Sequence, residues 1–355
     1  MRRAVVIVVL GLVLAAAWIA YALYTPYQGF PPQGVYVDIP RGASARTIAR
    51  LLAENGVVRS RVAFELLCRS RARRALQAGE YFFHRAVTAF DVFQTLAEGR
   101  VYQIMVTVPE GLTMFEIAEL VEGAGLANRE AFLGAARDPA PVRDLAPRAR
   151  SLEGFLFPAT YQFPRHIAPQ EIVGAMVRRF REVWQALPKA SLNPNGLTMD
   201  GAVTLASLVE RETSVPEERR IVAGVFLNRL RRRLPLQCDP TVIYALQLAG
   251  KYNGMLYSTD LSFDSPYNTY RRTGLPPGPI ANPGEASLRA ALNPQAVDYF
   301  YFVATGHGGH VFSKTLQEHN ENVRRYRRML AQNAAANGGK PTDPPARKTS
   351  GKRSP

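Results

Sequence analysis

Leu205–Thr213 reads LASLVERET, and a little further on Ile221–Leu230 reads IVAGVFLNRL. Both are apolar helical patterns, and the first carries two carboxylates, Glu210 and Glu212. A carboxyl group on the flank of an apolar helix face is a candidate general acid. Burial disfavours its ionised form and raises its pKa towards the range where it can give up a proton. The plain alternative is a pair of solvated glutamates on a helix surface. At about 100° per residue the two lie roughly 160° apart, on opposite flanks of the stripe formed by Ala202, Leu205, Ala206 and Val209, with Arg211 pointing away. Only one of them can face a given cleft, and helix geometry does not choose between them.

Downstream, Gln237–Tyr244 reads QCDPTVIY. Asp before Pro starts a helix: the carboxylate caps free N–H groups, and Pro at the first helical position loses nothing. That accounts for Asp239 without catalysis. Ser265–Gly284 (SPYNTYRRTGLPPGPIANPG) is too rich in Pro, Gly and Asn for regular structure, and a long loop of this kind in a compact domain is usually functional. Its Tyr267, Asn268 and Tyr270 offer ring faces and an amide, which suit sugar rings and N-acetyl groups. The alternative is a rigid loop packed on its own prolines. Tyr299–Ala304 and His310–Phe312 flank a glycine turn and read as a hairpin. The spacing His307-x-x-His310 with His319 superficially resembles a metal set, but no cysteine or helical i,i+4 pair supports it, so no metal is expected. A Cys238–His310 nucleophile pair is disfavoured by the acidic neighbour of the thiol. No G-x-S-x-G elbow is present.

Upstream, a helix is expected over Pro169–Leu187 and a loop at Asn193–Gly196. Further back, a unit recurs: strand, Pro-x-Gly turn, amphipathic helix. It runs from Val37 to Gly56 and again from Val106 to Gly125. Pro109 against Pro40, Ile117 against Ile48 and Gly125 against Gly56 all stand 69 residues apart. Ser44 is the expected N-cap of the first helix. Between the copies lie a helix near Arg61–Arg69, a strand at Ala78–Phe83 and a helix near Ala89–Leu96. This strand-helix unit resembles the LysM fold, which binds N-acetylated glycans; a positioning domain that binds no sugar is the other reading.

With 355 residues, 47% of them hydrophobic, the chain can bury a sizeable core in two or more domains. Its net charge of +15, from 44 Lys+Arg against 29 Asp+Glu, suits a polyanionic partner. No zinc-finger spacing or phosphate-binding glycine loop accompanies it, so nucleic acid is not an expected partner. Cys68 and Cys238 lie far apart and read as two unrelated buried thiols. Arg2 and Arg3 precede an uncharged run from Ala4 to Tyr24, long enough to cross a bilayer as one helix. Arginines before it and Trp18, Tyr21 and Tyr24 near its end predict a cytoplasmic N-terminus with the rest exported, anchored in the cytoplasmic (inner) membrane by a single pass. A cleaved signal peptide is the rival, through the small-x-small Ala20–Ala22. The reading divides the chain into an anchor (1–24), a linker (25–34), a LysM-like module with its internal repeat (35–127), a connection (128–151), a larger α+β domain (152–335) and a disordered basic tail (336–355).

Several of these blocks together carry a resemblance. LASLVERET, the run from Ile221 to Leu246, Tyr267–Tyr270 with Thr273–Ile280, and Tyr301–Ala304 with Gly309–Phe312 resemble, in order, the MltG (YceG-like) family of endolytic murein transglycosylases. The likeness spans about residues 4–330. It implies a mixed α+β catalytic domain and a cofactor-free lyase acting on peptidoglycan glycan strands, working near peptidoglycan synthases to limit strand length. The catalytic glutamate of the family is the second in its E-x-E-T motif, which falls on Glu212. Substrate-binding positions carry over onto Gln237, Asn268 and Tyr270. The chain departs from the family pattern at Cys238, where Thr is usual, and at Ala159, where Asp is usual. A non-catalytic glycan-binding scaffold of the wall-synthesis machinery is the alternative.

Overall fold

The computed structural model describes residues 2–71, 73–188, 196–306 and 308–336. The protein is mixed α+β, with many helices and short, two-stranded sheets among the described residues. The expected tail and most of the loop around Asn193 lie outside those residues.

The chain forms two compact units, the first comprising Met1–Ile104 with Gln162–His166. It contains α1 (Arg2–Tyr24), β1 (Val35–Ile39), α2 (Ala45–Glu54), α3 (Arg61–Ser70), β2 (Gly79–Phe83) and α4 (Ala89–Ala97). β1 and β2 pair antiparallel, Val37 opposite Tyr81. Strand alternation sends Val37, Ile39, Tyr81 and Phe83 into one core with Ile48, Leu52, Phe64, Phe93 and Leu96. α1 is long and apolar enough to cross a membrane, by length and composition.

The second unit comprises Met105–Tyr161 and Ile167–Pro355. In order it brings β3 (Ile104–Thr107, all but its first residue), α5 (Met114–Gly123), α6 (Arg129–Ala136), the first half of β4 (Thr160–Phe163), α7 (Pro169–Ala186), α8 (Met199–Glu212), α9 (Arg219–Arg231), α10 (Asp239–Leu248), α11 (Glu285–Leu292), β5 (Tyr301–Ala304), β6 (His310–Ser313) and α12 (Leu316–Ala336). β3 pairs with β4, a strand the sequence reading did not find, and β5 with β6 as the expected hairpin.

The repeat is real in three dimensions. β1–α2 and β3–α5 share their cap geometry position by position. Ser44 and Thr113 accept from the backbone N–H three residues on, and their φ/ψ are −70/156° and −79/162°. The turn glycines Gly42 and Gly111 have φ of 74° and 79°, and the helix-ending Gly56 and Gly125 have 69° and 70°. A positive φ is what ends these helices, and glycine takes it without a Cβ penalty. Yet the copies fall in different units: the second, from Met105 onward, belongs to the unit that carries the LASLVERET helix.

α8 is the spine of that unit. Thr198 caps its start by accepting from the Gly201 N–H, and Ala202 to Val209 are all buried. Because neighbours surround it, the helix is apolar on more than one side, as a central helix must be. The Pro-rich loop is pinned to it: the Ile280 N–H donates to the buried Ser207 hydroxyl at 3.1 Å. Close approach is built into Gly154, at φ 87°, where a Cβ would stand 2.4 Å from the Pro279 ring. Ser265–Gly284 has no helix or strand, as its composition predicts.

Candidate active site

Glu212 is the last residue of α8 and is half-buried. The next residue, Thr213, is extended at φ −135°, ψ 133°, so the helix stops where the second glutamate projects. Glu212 reaches the N-terminus of α10. It hydrogen-bonds the Cys238 side chain, and its charge acts on Cys238 and on Tyr270. Burial first, then Glu212 and Asp239, push the Cys238 thiol well above its ordinary pKa. A thiol so placed stays protonated and is a hydrogen-bond donor, not a nucleophile.

Glu210 has a different surrounding. Its side chain is 7% exposed. Oε2 accepts from the Gly284 N–H at 3.0 Å, at the start of α11, while Oε1 lies 3.9 Å from the Arg219 guanidinium on α9. Glu110 lies beside it; burial and then the Glu210 charge raise the Glu110 pKa. Glu210 thus ties three helices together. The two glutamates do face different surroundings, as helix geometry required. Arg211, however, does not point away. It is 13% exposed, donates to the Gly111 carbonyl at 2.9 Å and lies 3.9 Å from Glu116. The reason is that the turn of the second repeat copy packs on that flank of α8.

The loop residues divide by role. Asn268 is fully buried and spent on its own loop: its amide donates to the Leu261 and Phe263 carbonyls at 3.0 and 2.7 Å, and its oxygen accepts from the Tyr270 N–H at 2.9 Å. Both hydrogens of that amide are thus committed within the loop. Tyr270 donates its hydroxyl to Asp239 Oδ1 at 2.5 Å; burial, then the Asp239 charge, raise its pKa. Asp239 therefore serves Tyr270, and the helix is capped by position instead: Cys238 is the N-cap residue, its side chain making no capping bond to the helix, and Pro240 follows. Gln237 is exposed and holds φ at 53°, a conformation that costs a non-glycine residue energy. Its oxygen accepts from Arg229 Nη2 at 2.5 Å, and its N–H donates to the Thr269 carbonyl. Buried Arg229 also donates to the Pro235 and Phe300 carbonyls. Thr241 and Thr269 hydroxyls, 2.9 Å apart, lock the loop to α10.

Sequence reasoning missed a second chain of contacts at the end of α8. The Thr213 hydroxyl donates to Glu218 Oε2 at 3.1 Å; Glu218 also accepts from the His310 N–H at 2.7 Å, and its Oε2 lies 2.6 Å from His310 Nδ1. Burial pushes the Glu218 carboxyl up, but His310 and Thr213 outweigh it and hold it below the usual range. His310 is thus the partner of a carboxylate. His319 stacks on Tyr301 at 5.2 Å, and His307 lies outside the described residues. Another missed group is Glu153, buried beside the start of α5. Burial pushes its carboxyl up to about 8, against the pull of the Met114 N–H, Tyr244 and Asn282. Neither Glu218 nor Glu153 stands out by periodicity. Ala159, one of the two departures, enters β4 and is held through its carbonyl, which accepts from the Val108 N–H at 2.9 Å.

The model of the YceG-like family matches residues 37–325. A Bacillus subtilis (strain 168) protein called endolytic murein transglycosylase is 34% identical over 321 residues, covering 86% of this chain and 88% of the relative. A Streptococcus pneumoniae (strain R6) protein of the same name is 30% identical over 81% of this chain, which spans 58% of that longer relative. A crystal structure of a YceG-like protein from Listeria monocytogenes aligns with a TM-score of 0.56 at 32% identity, covering 82% of this chain and 99% of the other. The extent of these matches, across both units, shows that the chain belongs to the YceG-like family.

Proposed function

We propose that the protein is a peptidoglycan lytic transglycosylase that cuts the β-1,4 bond between N-acetylmuramic acid and N-acetylglucosamine within glycan strands, with Glu212 as its acid and base. The observation that carries the assignment is the family membership joined to the position of Glu212 at the half-buried end of an otherwise buried helix. That end of a helix is the negative end of its dipole. Protonated Glu212 gives its proton to the glycosidic oxygen as the C1–O bond cleaves. The carboxylate then takes the proton of the muramic acid C6 hydroxyl, whose oxygen closes on C1. The products are a strand with a free 4-hydroxyl and a strand with a 1,6-anhydro end; no water is consumed and Glu212 is reprotonated.

Gln237 presents its amide NH2, its oxygen being taken by Arg229, and Tyr270 offers a ring face with its hydroxyl committed to Asp239. Asn268 shapes the loop that holds them. α1 anchors the chain in the cytoplasmic membrane, with both units on the outer side, where nascent strands leave their synthases. The test is incubation of the full chain in detergent with uncrosslinked strands, products being read by mass spectrometry. Anhydro ends that vanish in Glu212→Gln support the assignment. Reducing ends would mean hydrolysis, and intact strands that still bind would mean a scaffold.

A further inference from the structure

The first unit carries a surface that the reaction does not use. α1 runs straight into it: Ala22 is buried, Leu23 packs on the core, and the Arg59 guanidinium lies 4.8 Å from the Tyr21 ring centre and 4.7 Å from that of Tyr27. At about 1.5 Å per residue, α1 spans little more than the roughly 30 Å of a hydrocarbon core. Tyr21, in its last turn, therefore sits at headgroup depth, where tyrosines gather. Arg59 stands at that depth too, and α3 begins two residues later.

α3 is amphipathic, but its outward face is not simply polar. Ala63, Phe64, Leu67 and Cys68 are buried, while Val62 is 61% and Leu66 43% exposed. At helical spacing Val62, Leu66 and Arg69 share one stripe. Beyond it the turn is basic: Arg71, Arg73 and Arg74 are all exposed. The acidic residue of α3, Glu65, is already engaged by Arg69 at 2.7 Å and by Arg46 at 3.7 Å. Arg71 lies over the Phe90 ring at 4.8 Å. Exposed aliphatics on a short helix, flanked by arginines and starting at headgroup depth, match an interfacial helix whose apolar stripe enters the acyl boundary.

We propose that the outer face of α3 and the side chains of Arg69, Arg71, Arg73 and Arg74 rest in the membrane interface, against anionic phospholipid headgroups of the bilayer that α1 crosses. This rests on the reading of α1 as an anchor. The arrangement fixes the first unit at the surface through two contacts, the spanning helix and α3, in place of a swivel.

The test uses the full chain in vesicles of phosphatidylcholine, with and without phosphatidylglycerol. A polarity-sensitive fluorophore is placed at Val62→Cys or Leu66→Cys, and at Ala16→Cys in α1 as a control. Cys68 and Cys238 are buried and do not compete for label. The expected result is quenching of positions 62 and 66 by nitroxide lipids, stronger with phosphatidylglycerol. Combined Arg69→Glu, Arg73→Glu and Arg74→Glu should weaken it, each arginine being worth roughly fivefold in surface occupancy. If Ala16 is quenched by the lipid while positions 62 and 66 are quenched only by aqueous iodide, the interfacial helix is wrong and the anchor stands. If Ala16 is not quenched by the lipid, the anchor fails and the proposal with it. Equal quenching with and without phosphatidylglycerol overturns the anionic-lipid assignment.

Discussion

Replacing Glu210 and Glu212 in turn separates the fold from the chemistry. Glu210 is nearly buried, accepts from the Gly284 N–H at 3.0 Å and faces Arg219, itself 12% exposed, at 3.9 Å. Glu210→Ala strands a peptide N–H and leaves a mostly buried guanidinium without its counter-charge. Removing one partner of such a group costs about 1–3 kcal/mol for the unmade bond, and more when a charge is left behind. The distance to Arg219 is long, which trims the second cost, so about 3 kcal/mol is expected in all. Glu210→Gln keeps an oxygen for Gly284 and should cost about 1 kcal/mol. Glu212 is half-buried at a helix end, and Glu212→Gln should change stability by no more than about 0.5 kcal/mol. Activity runs the other way: Glu212→Gln abolishes anhydro products, while Glu210→Gln retains a measurable rate. Urea unfolding of the full chain in detergent, beside strand cleavage read by mass spectrometry, checks both. A stable, inactive Glu210→Gln together with an active Glu212→Gln would reverse the roles and refute the reasoning.

Cys238→Thr, restoring the residue usual in the family, should keep activity within a few fold, since a hydroxyl can also donate to Glu212; a large loss would show that the thiol itself is needed. In the unmodified chain Cys238 should resist iodoacetamide until urea unfolds it, because burial, Glu212 and Asp239 all disfavour its thiolate. Tyr270→Phe should cost about 1 kcal/mol through the lost Asp239 bond and raise KM more than it lowers kcat; an unchanged KM would remove Tyr270 from the substrate face. Glu218 has a lowered pKa, so its contribution is present above its unfolded value of 4.5 and is lost as pH falls through the lower folded value. Amide exchange in β5–β6 should quicken there first, and Glu218→Gln should remove that pH dependence. Glu153 has the opposite sign: raised from 4.5 to about 8, it stabilises fully at low pH and progressively less as pH rises through that window, and Glu153→Gln should flatten the profile.

Much of the frame was legible because local rules agreed with the final packing. The 69-residue repeat was visible in the spacing of Pro, Ile and Gly, and its caps and glycine conformations match in the structure. The irregular loop at Ser265–Gly284 and the hairpin at Tyr301–Ser313 followed from composition and alternation. What stayed hidden depended on contacts far apart in sequence. Arg211 looks solvent-facing on a helical wheel, but the Gly111 carbonyl, a hundred residues earlier, accepts its hydrogen bond. Asn268 looks like a sugar ligand, but its amide satisfies two carbonyls of its own loop. Asp239 looks like a cap, yet a tyrosine 31 residues on claims the carboxylate. β4 was missed because Thr160–Phe163 is too short to show a period. In each case tertiary hydrogen bonding overrode a sound local preference.

The spacing of the two glutamates acquires a physical meaning from this. Glycosidases that use water or a covalent intermediate need a second carboxylate across the scissile bond. Here Glu210 is turned into the packing against α9 and α11. Asp239, which acts on Cys238 as Glu212 does, is held by Tyr270 at 2.5 Å, and Glu218 is held by His310 and Thr213. Glu210, Asp239 and Glu218 each have a partner that fixes them in the scaffold, and Glu212, at the end of α8, hydrogen-bonds the Cys238 side chain. Under the proposed role of Glu212, a site built this way favours a nucleophile that arrives with the substrate. The C6 hydroxyl of the sugar being cut meets that need, because a single carboxyl can give its proton to the leaving oxygen and take one back from the attacking hydroxyl.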